Sequence, residues 1–293
     1  AAALGKIKKQ IAVPLIADVH FDHRLALDAI KNGADGVRIN PGNIPLADIR
    51  RIIRAAKERD TVIRLGINAG SLQKDVAAKY GGATADALVE SALCNIAVFE
   101  EEGFSSLKIS LKSSDVPTMI EAYRRISART DYPLHLGVTE AGTEVDAAVK
   151  SALGIGILLY EGIGDTFRVS VTGDPLREIP IAQGILRSLR IRMMGPDIIS
   201  CPTCGRCEID LPPLVEKVRR ALAGTEKYIK IALMGCVVNG PGEAADADIG
   251  IAGGKGAGML FKKGKAVKKI KEEDFLSVIL AEIKRMLEEK KEA

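Results

Sequence analysis

Residues 106–142, SLKISLKSSDVPTMIEAYRRISARTDYPLHLGVTEAG, predict a strand, an amphipathic helix and a second strand in direct succession. The helix between the strands favours parallel pairing, because parallel neighbours need a crossover connection whereas antiparallel neighbours need only a short turn. A chain built from such units buries its strands under a layer of helices. This stretch therefore predicts an α/β fold with a parallel sheet.

The same alternation extends outward from this stretch over residues 11–172. The strand candidates are six: VPLIADVH (13–20), GVRINPG (36–42), TVIRLGINAG (61–70), SLKISLKSS (106–114), PLHLGVTEAG (133–142) and DTFRVSVTG (165–173). No G-x-G-x-x-G turn follows the first strand, which favours a (β/α)8 TIM barrel over an open doubly wound sheet. Because six units are two fewer than a full barrel has, and the chain opens on a predicted helix, we expect a barrel that is incomplete here or has lost its N-terminal part.

A second, smaller domain is predicted beyond the helix REIPIAQGILRSLRIR (177–192) and the linker MMGP (193–196). We place a partial substrate-binding barrel in residues 1–192 and an α+β domain with the clustered cysteines in residues 193–293. The second domain is expected to contain a helix at 211–224, a strand at 228–235, a glycine-rich strand pair around a tight turn in IGIAGGKGAGM and a final helix. The final helix has apolar residues at helical spacing, which we expect to pack on the domain's sheet: Leu276, Ile279, Ile283 and Leu287.

Composition limits the classes of function. With 47% hydrophobic and 27% charged residues the chain is expected to be globular, and its net charge of +4 does not indicate nucleic acid or a membrane as a partner. The start, AAALGKIKKQ, lacks the apolar core of a secretion signal, so we expect a cytoplasmic location. The basic run FKKGKAVKKIKEE (261–273) is predicted to be a solvated face, on which an acidic electron-donor protein could dock.

Four of the five cysteines indicate a metal centre. Cys201, Cys204 and Cys207 follow each other in CPTCGRC, and Cys236 lies in GCVVNGPGE at the end of a predicted strand. A C-x-x-C-x-x-C run with a remote fourth cysteine is typical of an iron–sulfur cluster, but two groups of cysteines also suit a structural zinc site. Cys94, in a helical apolar pattern, is predicted to be a core residue.

Polar side chains interrupt the predicted strands, although strands of a parallel barrel are normally apolar throughout. They are Arg38, Asn40, Arg64, Asn68, Lys108, Lys112, Glu140, Arg168 and Ser170. Because the C-terminal strand ends of a barrel converge on one mouth, so many cations predict an anionic, phosphorylated or diphosphate ligand. The alternative is that each cation is merely salt-bridged or exposed. It is the better explanation for any one of these residues taken alone, but not for all of them together.

Three further residues are candidates for proton chemistry or binding. Glu140 is a candidate acid–base group, with pairing to a neighbouring arginine as its alternative role. Asp18 and His20 end the first predicted strand and are weaker candidates. The alternative for them is that His20, Asp22 and His23 hydrogen-bond to one another.

Beyond these patterns, the chain closely resembles a known family, the 4-hydroxy-3-methylbut-2-enyl diphosphate synthases in their bacterial two-domain form. The resemblance rests on ADVHFDHRLALDAI, RINPGN, RLGINAGSL, KISLKSSDV, LHLGVTEAG, DTFRVSVTGDP, SCPTCGR and MGCVVNGPGEA. It implies reductive dehydroxylation and ring opening of 2-C-methyl-D-erythritol 2,4-cyclodiphosphate, on the methylerythritol phosphate route to isoprenoids. The family's barrel begins with two further βα units, and neither precedes Ala1.

The resemblance also implies a cofactor and roles for particular residues. A 4Fe-4S cluster would be held by Cys201, Cys204, Cys236 and Glu243, leaving Cys207 outside the ligand set. Thr139 and Glu140 would face the reacting carbons and hydroxyl. Family members are homodimers that receive electrons from ferredoxin or flavodoxin, with the cluster domain of one subunit over the barrel mouth of the other. The residues implied to bind the diphosphate are Arg38, Arg64, Asn68, Lys112, Arg168 and Ser170.

Two rival interpretations stay open at the level of sequence. One is a different phosphate-binding barrel enzyme whose cysteine domain holds only a structural zinc. The other is an electron-carrier module with a barrel attached. Anaerobic iron and sulfide content separates the iron–sulfur interpretation from the zinc one, and turnover separates an enzyme from a carrier.

Overall fold

The computed structural model describes residues 2–237, 242 and 244–292. The chain divides into two compact units, Ala1–Leu189 and Arg190–Ala293, which we call the barrel unit and the cysteine unit. Glu243, the implied carboxylate ligand, lies outside the described residues. Within the described residues, no helix is both long enough and apolar enough to cross a bilayer.

The barrel unit contains the six predicted strands in sequential order, and this prediction is confirmed. Strands β1 to β4 form one parallel sheet, β5 and β6 form a short parallel pair, and a parallel bridge between Ile109 and Leu134 connects the two groups. Helices separate the strands, as parallel pairing requires. The strands are β1 (Ile16–Asp18), β2 (Gly36–Ile39), β3 (Val62–Asn68), β4 (Leu107–Lys112), β5 (His135–Leu136) and β6 (Thr166–Phe167).

Some helices of the barrel unit begin at a polar capping residue. Asp22 accepts a hydrogen bond from the Arg24 N–H, and Asp115 accepts one from the Thr118 N–H, so each satisfies a free donor of the first turn. The helices are α1 (Ala2–Lys8), α2 (His23–Lys31), α3 (Leu46–Glu58), α4 (Lys74–Tyr80), α5 (Ala85–Glu101), α6 (Val116–Ser127), α7 (Glu144–Tyr160) and α8 (Glu178–Ser188). Short 3-10 turns occupy Pro41–Asn43, Ala69–Ser71 and Pro175–Arg177.

Cys94 is exposed on α5, so the prediction of a core cysteine is wrong. The buried face of α5 runs through Leu88, Ala92, Asn95 and Phe99, at the spacing of a single helix face. Asn95, not Cys94, lies on this face, and its buried side-chain amide donates to the Ser91 carbonyl at 2.7 Å. Because α5 has apolar residues on more than one face, its sequence does not show which of the adjacent positions 94 and 95 points inward.

The cysteine unit is a five-stranded mixed sheet with its helices packed against one core. Its strands are β7 (Pro196–Ser200), β8 (Ile229–Met234), β9 (Ile249–Gly254), β10 (Ala257–Lys262) and β11 (Lys265–Lys271), in the spatial order β11-β10-β9-β8-β7. Strands β7, β8 and β9 are parallel, and β9, β10 and β11 are antiparallel neighbours. The helices are α9 (Leu211–Ala221) and α10 (Phe275–Glu292), with a 3-10 turn at Glu272–Asp274.

Most of the second unit's predicted elements are confirmed. Ile279 and Ile283 of α10 are buried in the core with β8 and β9, and Leu276 and Leu287 pack against it. The tight turn in IGIAGGKGAGM connects β9 to β10, with Gly256 at a φ of +68°. Two strands were not predicted: β7, which begins at the last residue of the expected linker, and β11, which occupies the basic run.

Candidate functional site

Charged side chains form a row across the first four strands of the barrel unit. The register places them side by side, one on each of β1 to β4: Asp18, Arg38, Arg64 and Lys108. Further along, Asn68 of β3 lies opposite Lys112 of β4. In-register neighbours of a parallel sheet point to the same face, so these side chains share one surface. Three adjacent cations would repel one another, and Asp18 is the carboxylate that offsets them.

Arg38 is held at the centre of this surface. It is 4% exposed, and its Nη1 donates to Asp18 Oδ1 at 3.0 Å while Nη2 donates to Asn68 Oδ1 at 3.3 Å. The guanidinium lies across Gly66, where an added Cβ would collide with Arg38 Nε and stand 2.9 Å from Nη2. A residue without a side chain at position 66 is therefore required by the position of Arg38.

Asp18 and His20 both contact Arg38, and the proposed hydrogen bonding among His20, Asp22 and His23 is not found. Asp22 instead bonds to Arg24, and His23 Nδ1 lies 3.2 Å from Asp48 Oδ2. Arg38 Nη1 is 3.2 Å from His20 Nδ1. Burial raises the pKa of Asp18, but the charge and hydrogen bond of Arg38 outweigh it and bring that pKa below the usual value.

Arg64 is fixed by a histidine that the sequence analysis missed. Arg64 Nη1 lies 2.7 Å from His135 Nε2, and His135 Nδ1 lies 3.0 Å from Thr166 Oγ1. Burial first, and then the charge of Arg64, lowers the pKa of His135 to about 2, so the imidazole is neutral. A neutral ring that accepts the Arg64 N–H at Nε2 carries its own proton on Nδ1 and donates it to Thr166.

The same histidine is held from its backbone side. The Tyr123 hydroxyl donates to the His135 carbonyl at 2.5 Å and accepts the Leu111 N–H at 3.0 Å. One group of Arg64 stays unsatisfied: its Nε is buried without a hydrogen-bond partner among the described residues. A buried donor without a partner lowers the stability of the protein. A ligand whose acceptor atom bonds to the Arg64 Nε–H would remove this cost.

Lys112 is buried beside the three arginines. It is 9% exposed, and burial, reinforced by the charges of Arg168 and Arg64, lowers its pKa to about 7. Beside Lys112, Gly137 approaches the Arg168 backbone, because an added Cβ at position 137 would stand 2.9 Å from the Arg168 carbonyl oxygen. Lys108 is half-buried, and burial followed by the Arg64 charge also lowers its pKa.

Arg168 and Ser170 lie at the open side of this surface. Arg168 Nη2 donates to Ser170 Oγ at 3.2 Å, and Nη1 lies 3.9 Å from Asp18 Oδ2. The Arg168 side chain is 48% exposed, in contrast to Arg38 and Arg64. We call Arg38, Arg64, Lys112 and Arg168 the rim cations. The structure brings them together around Asp18, as the strand pattern predicted.

Thr139 and Glu140 follow β5 in a strained loop. The Thr139 N–H donates to the Ser113 carbonyl at 3.2 Å, which ties the loop to the end of β4. Glu140 is exposed and has a φ of +54°, in the left-handed region that favours glycine. Among the described residues, the Glu140 side chain forms no hydrogen bond or ion pair with a rim cation, so the alternative role of pairing with a neighbouring arginine is not found there.

Two thiols of the cysteine unit, those of Cys201 and Cys207, lie close to Gly235. An added Cβ at Gly235 would collide with Cys207 Sγ and stand 3.5 Å from Cys201 Sγ, and Cys236 is the next residue. The Gly235 N–H donates to Cys201 Sγ at 3.2 Å. In the described residues, no three potential ligands are close enough to hold a single metal ion.

Two of these thiols differ in their readiness to bind a metal. Hydrogen bonds from the backbone and side chain of Arg206 lower the pKa of Cys204, which favours the thiolate. Cys207 instead donates its S–H to the Ile209 carbonyl at 3.3 Å. Reduced thiols around a position open only to glycine fit an iron–sulfur group bound by thiolates.

Comparison with known proteins gives a consistent result over nearly the whole chain. A family model described as the GcpE TIM-barrel domain matches residues 1–183, and one described as the GcpE protein C-terminal domain matches residues 197–285. A relative from Geobacter sulfurreducens is 52% identical over 291 residues, 99% of this chain and 82% of its own. One from Clostridium tetani is 55% identical over 285 residues, 97% of this chain and 82% of its own. Both are named 4-hydroxy-3-methylbut-2-en-1-yl diphosphate synthase (flavodoxin).

Proposed function

Because the chain belongs to the GcpE family, whose curated members are 4-hydroxy-3-methylbut-2-en-1-yl diphosphate synthases, we propose how its own residues carry out that reaction. The reaction is the reductive dehydroxylation and ring opening of 2-C-methyl-D-erythritol 2,4-cyclodiphosphate on the methylerythritol phosphate route. The observation that carries the proposal is the group of buried cations around the Asp18 carboxylate. Such a group is stabilised when a polyanion enters it.

The rim cations, with Asn68 and Ser170, bind the diphosphate in this proposal. Arg38 and Arg64 are presented at fixed positions, because hydrogen bonds to Asp18, Asn68 and His135 restrain their guanidinium groups. The unsatisfied Nε of Arg64 supplies one donor to a phosphate oxygen. Arg168 is more exposed and contacts Ser170, so it is suited to closing over the ligand from the solvent side.

Lys112 supplies a charge that depends on the ligand. Its low pKa means that the ammonium is only partly formed at neutral pH in the empty site. A diphosphate beside it favours the charged form, so binding is accompanied by proton uptake. The bound substrate then faces a fully protonated lysine.

Thr139 and Glu140 are proposed to face the reacting carbons and the hydroxyl that is lost. Support comes from the left-handed backbone of Glu140, since strained residues cluster at functional sites. An exposed carboxyl at the end of β5 is free to donate or relay a proton to the leaving hydroxyl.

The cysteine unit is proposed to hold a 4Fe-4S cluster through Cys201, Cys204, Cys236 and Glu243. When bound, this group supplies single electrons. The Cys201 thiol, which accepts the Gly235 N–H, and the lowered pKa of Cys204 support thiolate ligands, while the S–H donated by Cys207 supports its exclusion from the set. We place substrate binding in residues 1–192 and cluster binding in residues 193–293.

Partners and location complete the proposal. The relatives' names contain flavodoxin, and we propose flavodoxin as the electron donor, with ferredoxin as the other candidate. We also propose a cytoplasmic homodimer, for which mass measurement in solution is the test.

The decisive experiment is anaerobic purification followed by metal analysis and turnover with a chemical reductant. About four irons and four sulfides per chain, with conversion of the cyclodiphosphate, support the proposal. One zinc and no sulfide supports the structural-zinc barrel, and a full cluster without turnover supports the carrier module.

The ligand set has a matched pair of variants. Glu243→Ala should abolish most turnover, whereas Cys207→Ser should retain most of it together with the cluster. Loss of iron in Cys207→Ser together with an intact cluster in Glu243→Ala would reject the carboxylate as a ligand and include the third cysteine of the motif.

A further inference from the structure

The three antiparallel strands of the cysteine-unit sheet, β9, β10 and β11, carry many lysines. Residues 249–271, which form β9, β10 and β11, contain lysines and no carboxylate. The lysines are Lys255, Lys262, Lys263, Lys265, Lys268, Lys269 and Lys271. All except Lys262 are exposed. The chain's net charge is only +4, so this surface is far more positive than the whole.

Few of these charges are neutralised within the part of the chain that the structure describes. Lys262 pairs with Glu282 at 2.5 Å, and Lys271 pairs with Glu273 at 3.2 Å. Lys255, Lys265 and Lys269 form no ion pair with a described residue. A surface that leaves so many ammonium groups unpaired is available to a partner of opposite charge.

Strand direction sorts the lysines into two groups. Strands β8 and β9 are parallel, so their C-terminal ends, Met234 and Gly254, lie at the same end of the sheet, next to Cys236. Strand β11 returns to this end, because Lys271 is paired with Ala257 and Lys269 with Met259. We call Lys255, Lys269 and Lys271 the cysteine-end lysines.

The opposite end of the sheet carries a comparable pair. Lys263 and Lys265 flank the turn between β10 and β11, and we call them the far-end lysines. Lys265 lies four residues from Lys269 along β11, which corresponds to about 13 Å. The two groups therefore have the same chemistry but different distances from the thiols.

The cysteine-end lysines are continuous with the thiol loop. The Lys255 N–H donates to Glu208 Oε2 at 2.9 Å, and Glu208 directly follows Cys207. A Cβ at Gly254 would stand 3.5 Å from Cγ1 of Val237, the residue after Cys236. Val237 is 50% exposed, so an accessible apolar side chain lies between the thiols and the lysines. Protein interfaces commonly combine an apolar centre with a charged rim.

We propose that the cysteine-end lysines and Val237 form the docking surface for an acidic flavodoxin. The proposal rests on the proposed function, because only an electron-accepting group among the thiols gives a donor reason to dock there. Charge complementarity favours a partner with a negative surface. Because these lysines lie at the same end of the sheet as the thiols, the partner would bind close to the thiols. The competing explanation is that the lysines merely protect the edge strand β11 from pairing with other chains.

The test compares two double charge reversals in the full-length, cluster-loaded protein. Lys255→Glu/Lys269→Glu changes the cysteine end, and Lys263→Glu/Lys265→Glu is the control with the same change in net charge. Turnover of the cyclodiphosphate is measured with a reduced bacterial flavodoxin over a range of its concentration and of salt, and separately with dithionite. The cysteine-end variant should raise the KM for flavodoxin by about tenfold or more and flatten its salt dependence. Its dithionite turnover should stay within about twofold of the parent.

Other outcomes would contradict either the docking surface or the proposed function. An unchanged KM for flavodoxin in the cysteine-end variant, or an equal rise in both variants, overturns the docking surface. Aggregation of both variants with an unchanged KM supports edge protection. If dithionite turnover is lost, the neutral pair Lys255→Gln/Lys269→Gln repeats the test with a smaller expected rise in KM. Absence of dithionite turnover in the parent would instead reject the proposed function.

Discussion

The barrel unit and the cysteine unit both concentrate cations, but they expose them to water very differently. Arg38, Arg64 and Lys112 are buried on neighbouring strands. Hydrogen bonds restrain the two arginines, and the pKa of Lys112 falls to about 7. The lysines of β11 are exposed on an edge strand. Buried charges are costly until a ligand compensates them, whereas exposed charges act at longer range and are screened by salt.

The two environments suit two different kinds of recognition. Recognition of a small polyanion needs charges that are desolvated and fixed before the ligand arrives. Docking of a protein needs charges that reach into solvent. Substitutions in the barrel unit should therefore change chemistry and stability, and those on β11 should change association.

The largest effect is expected for Arg64→Met. Loss of a buried guanidinium that binds phosphate should lower kcat/KM by about 10² to 10³. The substrate-free protein should be as stable as the parent or more stable, because a buried cation beside Arg38 and Lys108 is removed. Steady-state kinetics and thermal unfolding measure the two effects.

Arg168→Met is the matched control for that change. Its side chain is half-exposed, so kcat/KM should fall less and thermal stability should not rise. The comparison fails if Arg64→Met unfolds at a lower temperature than the parent while the activity of the folded fraction is unchanged.

Two substitutions of Glu140 should distinguish the effect of its carboxyl on turnover from the effect of its backbone conformation on stability. Both Glu140→Gln and Glu140→Gly should lower kcat by about 10², because each removes the acid–base carboxyl. The glycine variant should be at least as stable as the glutamine variant, since glycine accepts the φ of +54° without a steric cost. At an ordinary position glycine would be less stable by about 1 kcal/mol. Retained turnover in both variants would remove Glu140 from the proposed mechanism.

Gly66→Ala should displace Arg38 without changing any charge. The new Cβ would meet Arg38 Nε and Nη2, so the guanidinium must leave its bond to Asp18. We expect the KM for the cyclodiphosphate to rise about tenfold and stability to fall by about 1–3 kcal/mol. Gly70→Ala is the control, because nothing lies within 4 Å of a Cβ at that position. Equal effects of the two substitutions would contradict the role given to the Arg38 position.

The smallest effect is the proton coupled to Lys112. Its pKa of about 7 rises when a diphosphate binds, so binding at pH 8 should take up close to one proton, and affinity should fall as pH rises above about 7. In the empty protein the unfolded chain holds more protons between about pH 7 and 10.5, so Lys112 makes stability increase with pH over that range. Calorimetry of a diphosphate analogue in two buffers measures the uptake, and Lys112→Met should abolish it. An unchanged uptake in the variant would assign the proton to another group.

Sequence reasoning was successful where local patterns and fold rules coincide. Arg38, Arg64 and Lys112 were predicted to converge because polar residues interrupted otherwise apolar strands. It was unsuccessful where a single residue's direction or partner mattered. His135 was overlooked because a histidine within a strand has no distinctive spacing, and Cys94 was misplaced because its helix contains apolar residues on more than one face.

The amino-acid sequence was enough to determine the alternation of strands and helices in the barrel unit, the cations of its strands, the clustered cysteines and the family, since periodicity and motif are properties of the linear chain. The folded structure was needed to show that Asp18 neutralises Arg38, that His135 restrains Arg64 and that Lys112 has a pKa of about 7. These properties depend on strand register and on burial. Both are set by packing between residues far apart in the chain, and hydrogen bonding and desolvation act only at those short distances.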